Sequence, residues 1–253
     1  MPKFRTLWSL LFLLVTGCAS SQGFDRAAMS EVLHVESNST PEGQSLAIQR
    51  VHLSTPLRLG VFFASHNFPN SPSIRKMEWL TGDRDQLLRE LAPLQDEHVL
   101  QDTFVLIDAT LRSEDILGIR QAGARHGADM VLIVNGVAAV DRYNNRFAWL
   151  YPTLLGAYLA PGTESNALVM VTGHLRAVHS EWHARMQTVE GASKLVGSAV
   201  LVEDGAALQE AKKRALQTLG TRIVDQLQHW MQKLPSPVPH SRGIEADKNS
   251  QQE

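Results

Sequence analysis

The run DMVLIVNGVAAV, from Asp129 to Val140, carries the strongest structural signal in this sequence. It is almost continuously apolar, which is typical of a strand that is buried on both faces in the middle of a sheet. A sheet covered on both faces needs helices packed above and below it. The run therefore predicts an α/β protein whose neighbouring segments supply further strands and the covering helices.

A second strand is predicted upstream of this run, in LRLGVFFAS from Leu57 to Ser65. Its apolar residues alternate, and one set shares a face: Leu57, Leu59, Val61 and Phe63. Phe62 and Ala64 lie on the opposite face. Both faces of this strand are therefore expected to be at least partly covered.

A helix and a short strand are predicted next. The helix should run from Thr81 to about Ala92 and end at Pro93, because proline disrupts a helix interior. The inner stripe of this helix contains Leu87, Leu88 and Leu91. TFVLIDA, residues 103–109, predicts the strand.

A second helix is predicted immediately before the central run. Ser113 suits an N-cap, and Glu114 and Asp115 would follow in the first turn, where the helix dipole favours anions. The helix should continue to about His126 and stop at Gly127. These elements give the order βαβαβ for the first part of the domain.

The pattern changes after the central run. NALVMVTGHLRAVH, residues 166–179, predicts a long strand that WHARMQTVEG continues, and KLVGSAVLVED should pair or dock beside it. A last helix should extend from a capping Asp204 to about Lys233. Its apolar stripe contains Leu208, Ala211, Ala215, Leu219, Ile223, Leu227 and Trp230. The predicted fold is α/β (α+β): a mixed sheet with packed helices, a βαβαβ start, then antiparallel strands and a long C-terminal helix.

The first residues have the pattern of a secretory signal. Lys3 and Arg5 precede a short apolar run, residues 7–15, which is too short to span a bilayer. The following Val15-Thr16-Gly17-Cys18 resembles the bacterial lipobox. The resemblance implies cleavage between Gly17 and Cys18 and acylation (palmitate) of Cys18, the only cysteine. The alternative is an uncleaved anchor with a chance cysteine.

The position after the cysteine bears on localisation. By analogy with lipoprotein sorting, Ala19 in place of Asp favours the outer membrane over the inner membrane. A chain without residues 1–17 loses Lys3 and Arg5, so 22 basic residues would face 26 acidic ones. This weakly negative charge, without a dense basic stripe, does not suggest a nucleic-acid partner.

Composition predicts the domain boundaries. Residues 18–50 are polar and are expected to form the lipidated cysteine and a flexible tether, with some helical turns around residues 27–35. Residues 51–233 should form a single α/β domain. Residues 234–253 contain three prolines and a polar end, which predicts a disordered tail.

One segment behaves like neither core nor an ordinary loop. RFAWLYPTLLGAYLAPGTES, from Arg146 to Ser165, is a long connection rich in aromatic and aliphatic residues. It could be a strand pair or short helix packed over the domain's own core, a surface for a partner or the membrane interface, or part of a cofactor pocket. The candidate partner surface contains Trp149, Tyr151, Leu155 and Tyr158, because such side chains suit contact surfaces.

Several quoted pieces together resemble the rhombotarget lipoprotein family. They are the lipobox, PLRLGVFF, GADMVLIVNG, WLYPTLLGAYLAPGTES and ALVMVTGHLRAV, spread over roughly residues 55–200. The most specific piece is residues 154–159 followed by Pro161 and Gly162. The resemblance implies an association with a rhomboid-type protease but no established activity. The C-terminus lacks a glycine pair followed by an apolar span and a basic end, which argues against direct processing by such a protease.

Candidate chemistry is sparse. His179, Glu181 and His183 are the only tight His/Glu cluster, and on one strand they would share a face and could form a zinc set. Zinc proteases, however, place two histidines four residues apart on a helix, with glutamate beside the first. We therefore expect a non-enzymatic envelope lipoprotein without a cofactor, acting on an envelope protein or a second copy of itself. The alternative is an envelope metal-binding protein or hydrolase.

Overall fold

A computed structural model of the chain describes residues 20–35, 56–65, 73–107, 115–180, 182–186 and 188–233. Several sequence predictions lie outside these residues. They concern the signal segment with Gly17 and Cys18, the C-terminal tail, Ser113, Glu114 and Glu181.

Five α-helices and seven strands make up the described fold. The helices are α1 (Arg26–Val35), α2 (Thr81–Asp96), α3 (Ile116–Arg125), α4 (Leu154–Leu159) and α5 (Asp204–Lys233). The strands are β1 (Leu57–Phe63), β2 (Arg75–Lys76), β3 (Leu100–Leu106), β4 (Met130–Asn144), β5 (Thr163–Ala177), β6 (His183–Arg185) and β7 (Val189–Gly197). The predicted α/β class with a long C-terminal helix is confirmed.

All seven strands form one mixed sheet in which β4 and β5 are central. The order is β3-β1-β4-β5-β6, with β2 also paired to β4 and β7 also paired to β5. β1 runs parallel to β3 and β4, as a βαβαβ start requires, whereas β4 and β5 are antiparallel over fifteen successive pairs. The later strands β6 and β7 are antiparallel to β5, as expected for additions to this edge, but WHARMQTVEG does not continue β5 as predicted: it contains β6 and the start of β7.

The main core lies between one face of the sheet and the helices α2 and α5. The alternation predicted for β1 is confirmed, because Leu57, Leu59, Val61 and Phe63 all point into this core. α5 approaches β7 closely at Gly191, where an added Cβ would lie 2.1 Å from the carbonyl oxygen of Ala211. The inner stripe of α5 supplies Ala211, Ala215, Leu219, Ile223 and Leu227, all buried as predicted.

The second face of the sheet is covered by two short helices. α3 packs over Val131 and Ile133 of β4, together with Phe62 and Ala64 of β1. α1 packs further along β4, where its Met29 contributes to a cluster with Val137, Ala139, Leu168 and Met170. The described part of the expected tether, residues 20–35, is therefore attached to the domain rather than free of it.

The end of α2 differs from the prediction. The helix passes through Pro93 and ends at Asp96. Leu94 lies one residue after the proline and is fully buried in the main core. Burial of a leucine is worth about 1.5–3 kcal/mol, which offsets much of the roughly 3 kcal/mol that an interior proline costs. β3 starts at Leu100, three residues before the predicted strand.

Three further boundaries were predicted incorrectly or only in part. Asp115 is itself the N-cap of α3, since its carboxylate accepts a hydrogen bond from the Gly118 N–H at 2.7 Å. α3 itself ends at Arg125, with His126 as its C-cap, and the predicted stop at Gly127 follows directly, where a φ of +71° explains the glycine. Asp204 opens α5 but binds Ser165 and Arg142 through its carboxylate.

Candidate contact surface

The long connection between β4 and β5 forms a compact projection at one end of the sheet. It consists of a short 3-10 helix, Arg146–Leu150, a turn and helix α4. We call residues 146–159 the apolar tip. β4 and β5 pair without interruption up to Asn144 and Thr163, so the tip is carried on a rigid two-stranded support.

Two polar side chains start the helices of the tip. Asn145 accepts a hydrogen bond from the Phe147 N–H at 2.9 Å and thereby caps the 3-10 helix. Thr153 accepts one from the Gly156 N–H at 3.0 Å and caps α4. The Thr153 hydroxyl also donates to the Leu150 carbonyl at 2.7 Å, which links the two helices. Local side-chain bonds of this kind favour helix starts over continued strand.

Two glycines allow the tip to fold back on itself. A Cβ at Gly156 would lie 1.9 Å from the Leu150 carbonyl oxygen, and one at Gly162 would lie 2.7 Å from the Ala148 backbone. Neither position has room for a side chain. The tip is therefore a specified structure and not a loose loop.

The tip turns its large apolar side chains to solvent. Leu154 is 85% exposed and Trp149 is 71% exposed. The other exposed large apolar residues of the tip are Phe147, Leu155, Tyr158 and Leu159. None of them belongs to the three buried clusters of the described domain. The short helix named in the core-covering alternative is present as α4, but the exposed side chains show that the tip does not cover the domain's own core.

The structure separates the four residues predicted as a partner surface. Trp149, Leu155 and Tyr158 are exposed. Tyr151 instead is half-buried, and its hydroxyl lies 2.7 Å from the hydroxyl of Thr163. Tyr151 therefore holds the tip to the start of β5.

The base of the tip is polar. Glu164 accepts hydrogen bonds from the Tyr143 hydroxyl at 2.5 Å and from the Asn145 amide at 3.1 Å, and it forms an ion pair with Lys194 at 2.6 Å. The hydrogen bond from Lys194 is the main reason why the pKa of Glu164 falls from 4.5 to about 2, and those from Tyr143 and Asn145 add to it. The Glu164 carboxylate at the base of the tip therefore stays ionised at neutral pH.

The same end of the sheet carries further exposed apolar residues that the sequence analysis missed. Val200 and Leu201 lie between β7 and α5 and are 52% and 72% exposed. Arg142 holds this connection by donating to the carbonyls of Ala199 and Val202, at 3.1 and 3.0 Å. GSAVLVED has a strand-like composition, so the sequence alone did not indicate that β7 ends at Gly197 and that the residues after it form an exposed turn.

The histidine cluster is not a single strand. β5 ends at Ala177, and the chain reverses before β6, with the Ala177 N–H donating to the Trp182 carbonyl at 3.0 Å. His179 lies in this reversal, whereas His183 belongs to β6. The predicted continuation of the strand past Ala177 is therefore wrong, and His179 and His183 do not share the face of one strand. Within the described ranges, which omit Glu181, no group of three or more His, Cys, Asp or Glu residues is placed to hold a metal.

Comparison with known proteins gives no family. No family model matches the chain, and no curated protein matches it. Among the helices that the structure describes, none has the length and apolarity to cross a bilayer.

Three solved structures share a loose similarity in chain path. A PelC dodecamer from Paraburkholderia phytofirmans has a TM-score of 0.30 and 12% identity, with 68% of this chain and 94% of that chain covered. The hypothetical protein CT253 from Chlamydia trachomatis has a TM-score of 0.32 and 7% identity, with 68% and 98% covered. A putative neuraminyllactose-binding hemagglutinin homolog from Helicobacter pylori has a TM-score of 0.26 and 12% identity, with 76% and 90% covered. At such low scores these similarities carry no argument about function.

Proposed function

We propose that this protein is a non-enzymatic lipoprotein of the bacterial cell envelope, an interaction or assembly factor held at the outer membrane by a lipid on Cys18. The observation that carries the proposal is the apolar tip. Its large apolar side chains are exposed although the segment is ordered, and contiguous exposed apolar surface marks an interaction site. The lipid and the location rest on the lipobox and on Ala19.

The construction of the tip supports a role in contact. Its hydrogen bonds involve backbone groups and the side chains of Asn145, Tyr151 and Thr153, which leaves the exposed apolar side chains outside the internal bonding. A surface that is already folded loses little conformational entropy on binding, so it can bind more tightly than a flexible surface of the same area. Trp and Tyr are enriched at such surfaces because they combine apolar area with a polar group.

The lipid is tested on the full chain recovered from its own membranes. Mass spectrometry of the N-terminal peptide should show an acylated Cys18, and a Cys18→Ala variant should keep its signal segment and lose the modification. An unmodified Cys18 in the wild type would remove the membrane part of the proposal.

The contact is tested by crosslinking in the same membranes. Residues 146–159 of the wild type should form specific adducts, which a Trp149→Ala/Tyr158→Ala variant should lose while it remains folded. Leu117→Ala is the matched control, because Leu117 is an exposed apolar residue on α3, outside the tip. Equal adducts in the wild type and the tip variant would contradict a contact role for the tip.

A further inference from the structure

The beginning of the described chain is fixed at the end of the sheet that carries the tip. The Ser21 hydroxyl donates to the Asp141 carboxylate at 2.5 Å, and the Gly23 N–H donates to the same oxygen at 3.0 Å. Asp141 is only 8% exposed. A buried carboxylate needs such partners, so these bonds hold residues 21–23 firmly against β4.

The path of the chain then leads away from the tip. α1 starts at Arg26, and its Met29 and Leu33 pack with Val137 and Ala139, which precede Asp141 on β4. The chain therefore enters the domain at the tip end. Whatever is attached to the residues before Ser21 is attached at that end.

Chain length limits how far the predicted lipid can lie from this point. Cys18 precedes Ser21 by three residues, and an extended chain spans at most about 3.6 Å per residue, or about 11 Å in all. β4 ends three residues after Asp141, about 10 Å further along the strand. Because the two distances are similar, a lipid on Cys18 holds the tip beside the membrane surface.

The chemistry of the tip suits the lipid interface. Residues 145–163 contain no Asp or Glu, and Arg146 is their only charged residue. Its leucines Leu154, Leu155 and Leu159 are all at least 74% exposed. Aliphatic residues with neighbouring Trp and Tyr, together with a cation, are typical of segments that insert at the headgroup level.

The polar base would limit the depth of insertion. Glu164, Lys194 and Tyr143 form a charged hydrogen-bonded group directly behind the tip. An ionised carboxylate and an ammonium are costly to move into hydrocarbon, so insertion should stop at this level.

From this arrangement we infer that the occupant of the apolar tip is the lipid bilayer to which Cys18 is anchored. The inference rests on the proposed function, since that supplies both the lipid and the contact role of the tip. The lipid makes the encounter of the tip with the bilayer intramolecular, so a small apolar surface suffices for stable insertion. The domain is then held in one orientation on the membrane rather than on a loose tether.

The test uses the full acylated chain in its own membranes, with a photoreactive residue at Leu155 or, as control, at Asp225. Both positions are exposed, but Asp225 lies 21 residues into α5, about 31 Å along that helix from its start at the tip end. Irradiation should give phospholipid adducts at Leu155 and not at Asp225. Circular dichroism of each variant checks that it is folded.

The possible outcomes separate this inference from the proposed function. A protein adduct or a dimer of this chain at Leu155, without a lipid adduct, overturns the inference and leaves the proposed function standing. No adduct of any kind at Leu155, with Cys18 acylated, overturns both.

A second variant tests the orientation of the domain. Asp141→Asn should reduce the lipid adduct at Leu155 severalfold while Cys18 stays acylated. An unchanged yield in a folded variant would contradict the role of the Ser21–Asp141 contact.

Discussion

Lys212, in the third turn of α5, forms a buried ion pair with Asp83 in the first turn of α2. The Lys212 ammonium lies 2.5 Å from the Asp83 carboxylate and donates to the Glu78 carbonyl at 2.8 Å, and the lysine is 1% exposed. Asp83 also accepts from the Leu80 N–H at 2.8 Å. This pair joins the two helices that cover the main core.

Replacement of Lys212 by Met should strongly destabilise the fold. It would leave the Asp83 carboxylate buried beside an apolar side chain, and breaking such a pair typically costs about 3–5 kcal/mol. Lys213→Met is the matched control, because Lys213 is exposed and should change the free energy of unfolding by less than about 0.5 kcal/mol. Denaturant unfolding of both variants measures the difference, and equal losses would contradict the prediction.

Truncation to alanine should destabilise the protein much less at Trp149 than at Trp79. Trp79 packs edge-on against Phe63 at 5.2 Å and donates to the Ala64 carbonyl at 2.8 Å, so Trp79→Ala should cost about 3–5 kcal/mol. Trp149→Ala should cost less than about 0.5 kcal/mol, because its side chain is exposed. Thermal and denaturant unfolding would decide, and a large loss at Trp149 would mean that the tip packs on the core.

Gly156→Ala should unfold the tip and leave the sheet intact. The new Cβ would collide with the Leu150 carbonyl, whereas at Gly205 no atom lies within 4 Å of the added Cβ. Hydrogen exchange in residues 146–159 should become much faster in Gly156→Ala than in Gly205→Ala. The amides of β4 and β5 should stay protected in both. Unchanged exchange in the tip of Gly156→Ala would contradict the close packing.

The base of the tip should weaken in acid. Glu164 has a folded pKa of about 2 against an ordinary value of 4.5, so its carboxylate stabilises the fold above 4.5 and this contribution disappears as the pH falls towards 2. Glu164→Gln should lack this part of the pH dependence. Unfolding free energies of the two proteins should therefore converge between these pH values. The effect should be modest, because Lys194 is more than half exposed.

The histidines after β5 should not form a tight zinc site. His179 lies in the chain reversal after β5, whereas His183 belongs to β6, so the two do not share the face of one strand. We expect the purified full chain, after zinc loading and dialysis, to retain no more zinc than a His179→Ala/His183→Ala variant. Clearly higher retention by the wild type would favour the alternative of an envelope metal-binding protein.

The sheet and its main helices could be predicted because their signals are local and repetitive. The alternation in β1 follows the period of a strand, the stripe of α5 follows the period of a helix, and the run in β4 is continuously apolar. Each of these patterns can be recognised within one short stretch of sequence. Gly127 also predicted the end of α3, since a left-handed residue strongly favours glycine. The predicted end of α2 at Pro93 was wrong because the stabilisation from burying Leu94 depends on α5, which lies far along the chain.

Other features depend on tertiary contacts that no local pattern contains. The sequence predicted only some helical turns in the α1 region, and the attachment of α1 to the domain depends on Val137, Ala139 and Leu168, which it covers. The two-residue strand β2 exists only through its pairing with β4. In the tip, composition singled out the right segment, but the inward turn of Tyr151 follows from the hydroxyl of Thr163, which lies on another element.

The unbroken pairing of β4 with β5 has an evolutionary consequence. All fifteen pairs keep one register, so the residues between Asn144 and Thr163 can change without shifting any core side chain. The projection is therefore an exchangeable segment on a stem of fixed register. During evolution, substitutions in that segment alone could change what this domain contacts, while selection for folding acts separately on the sheet.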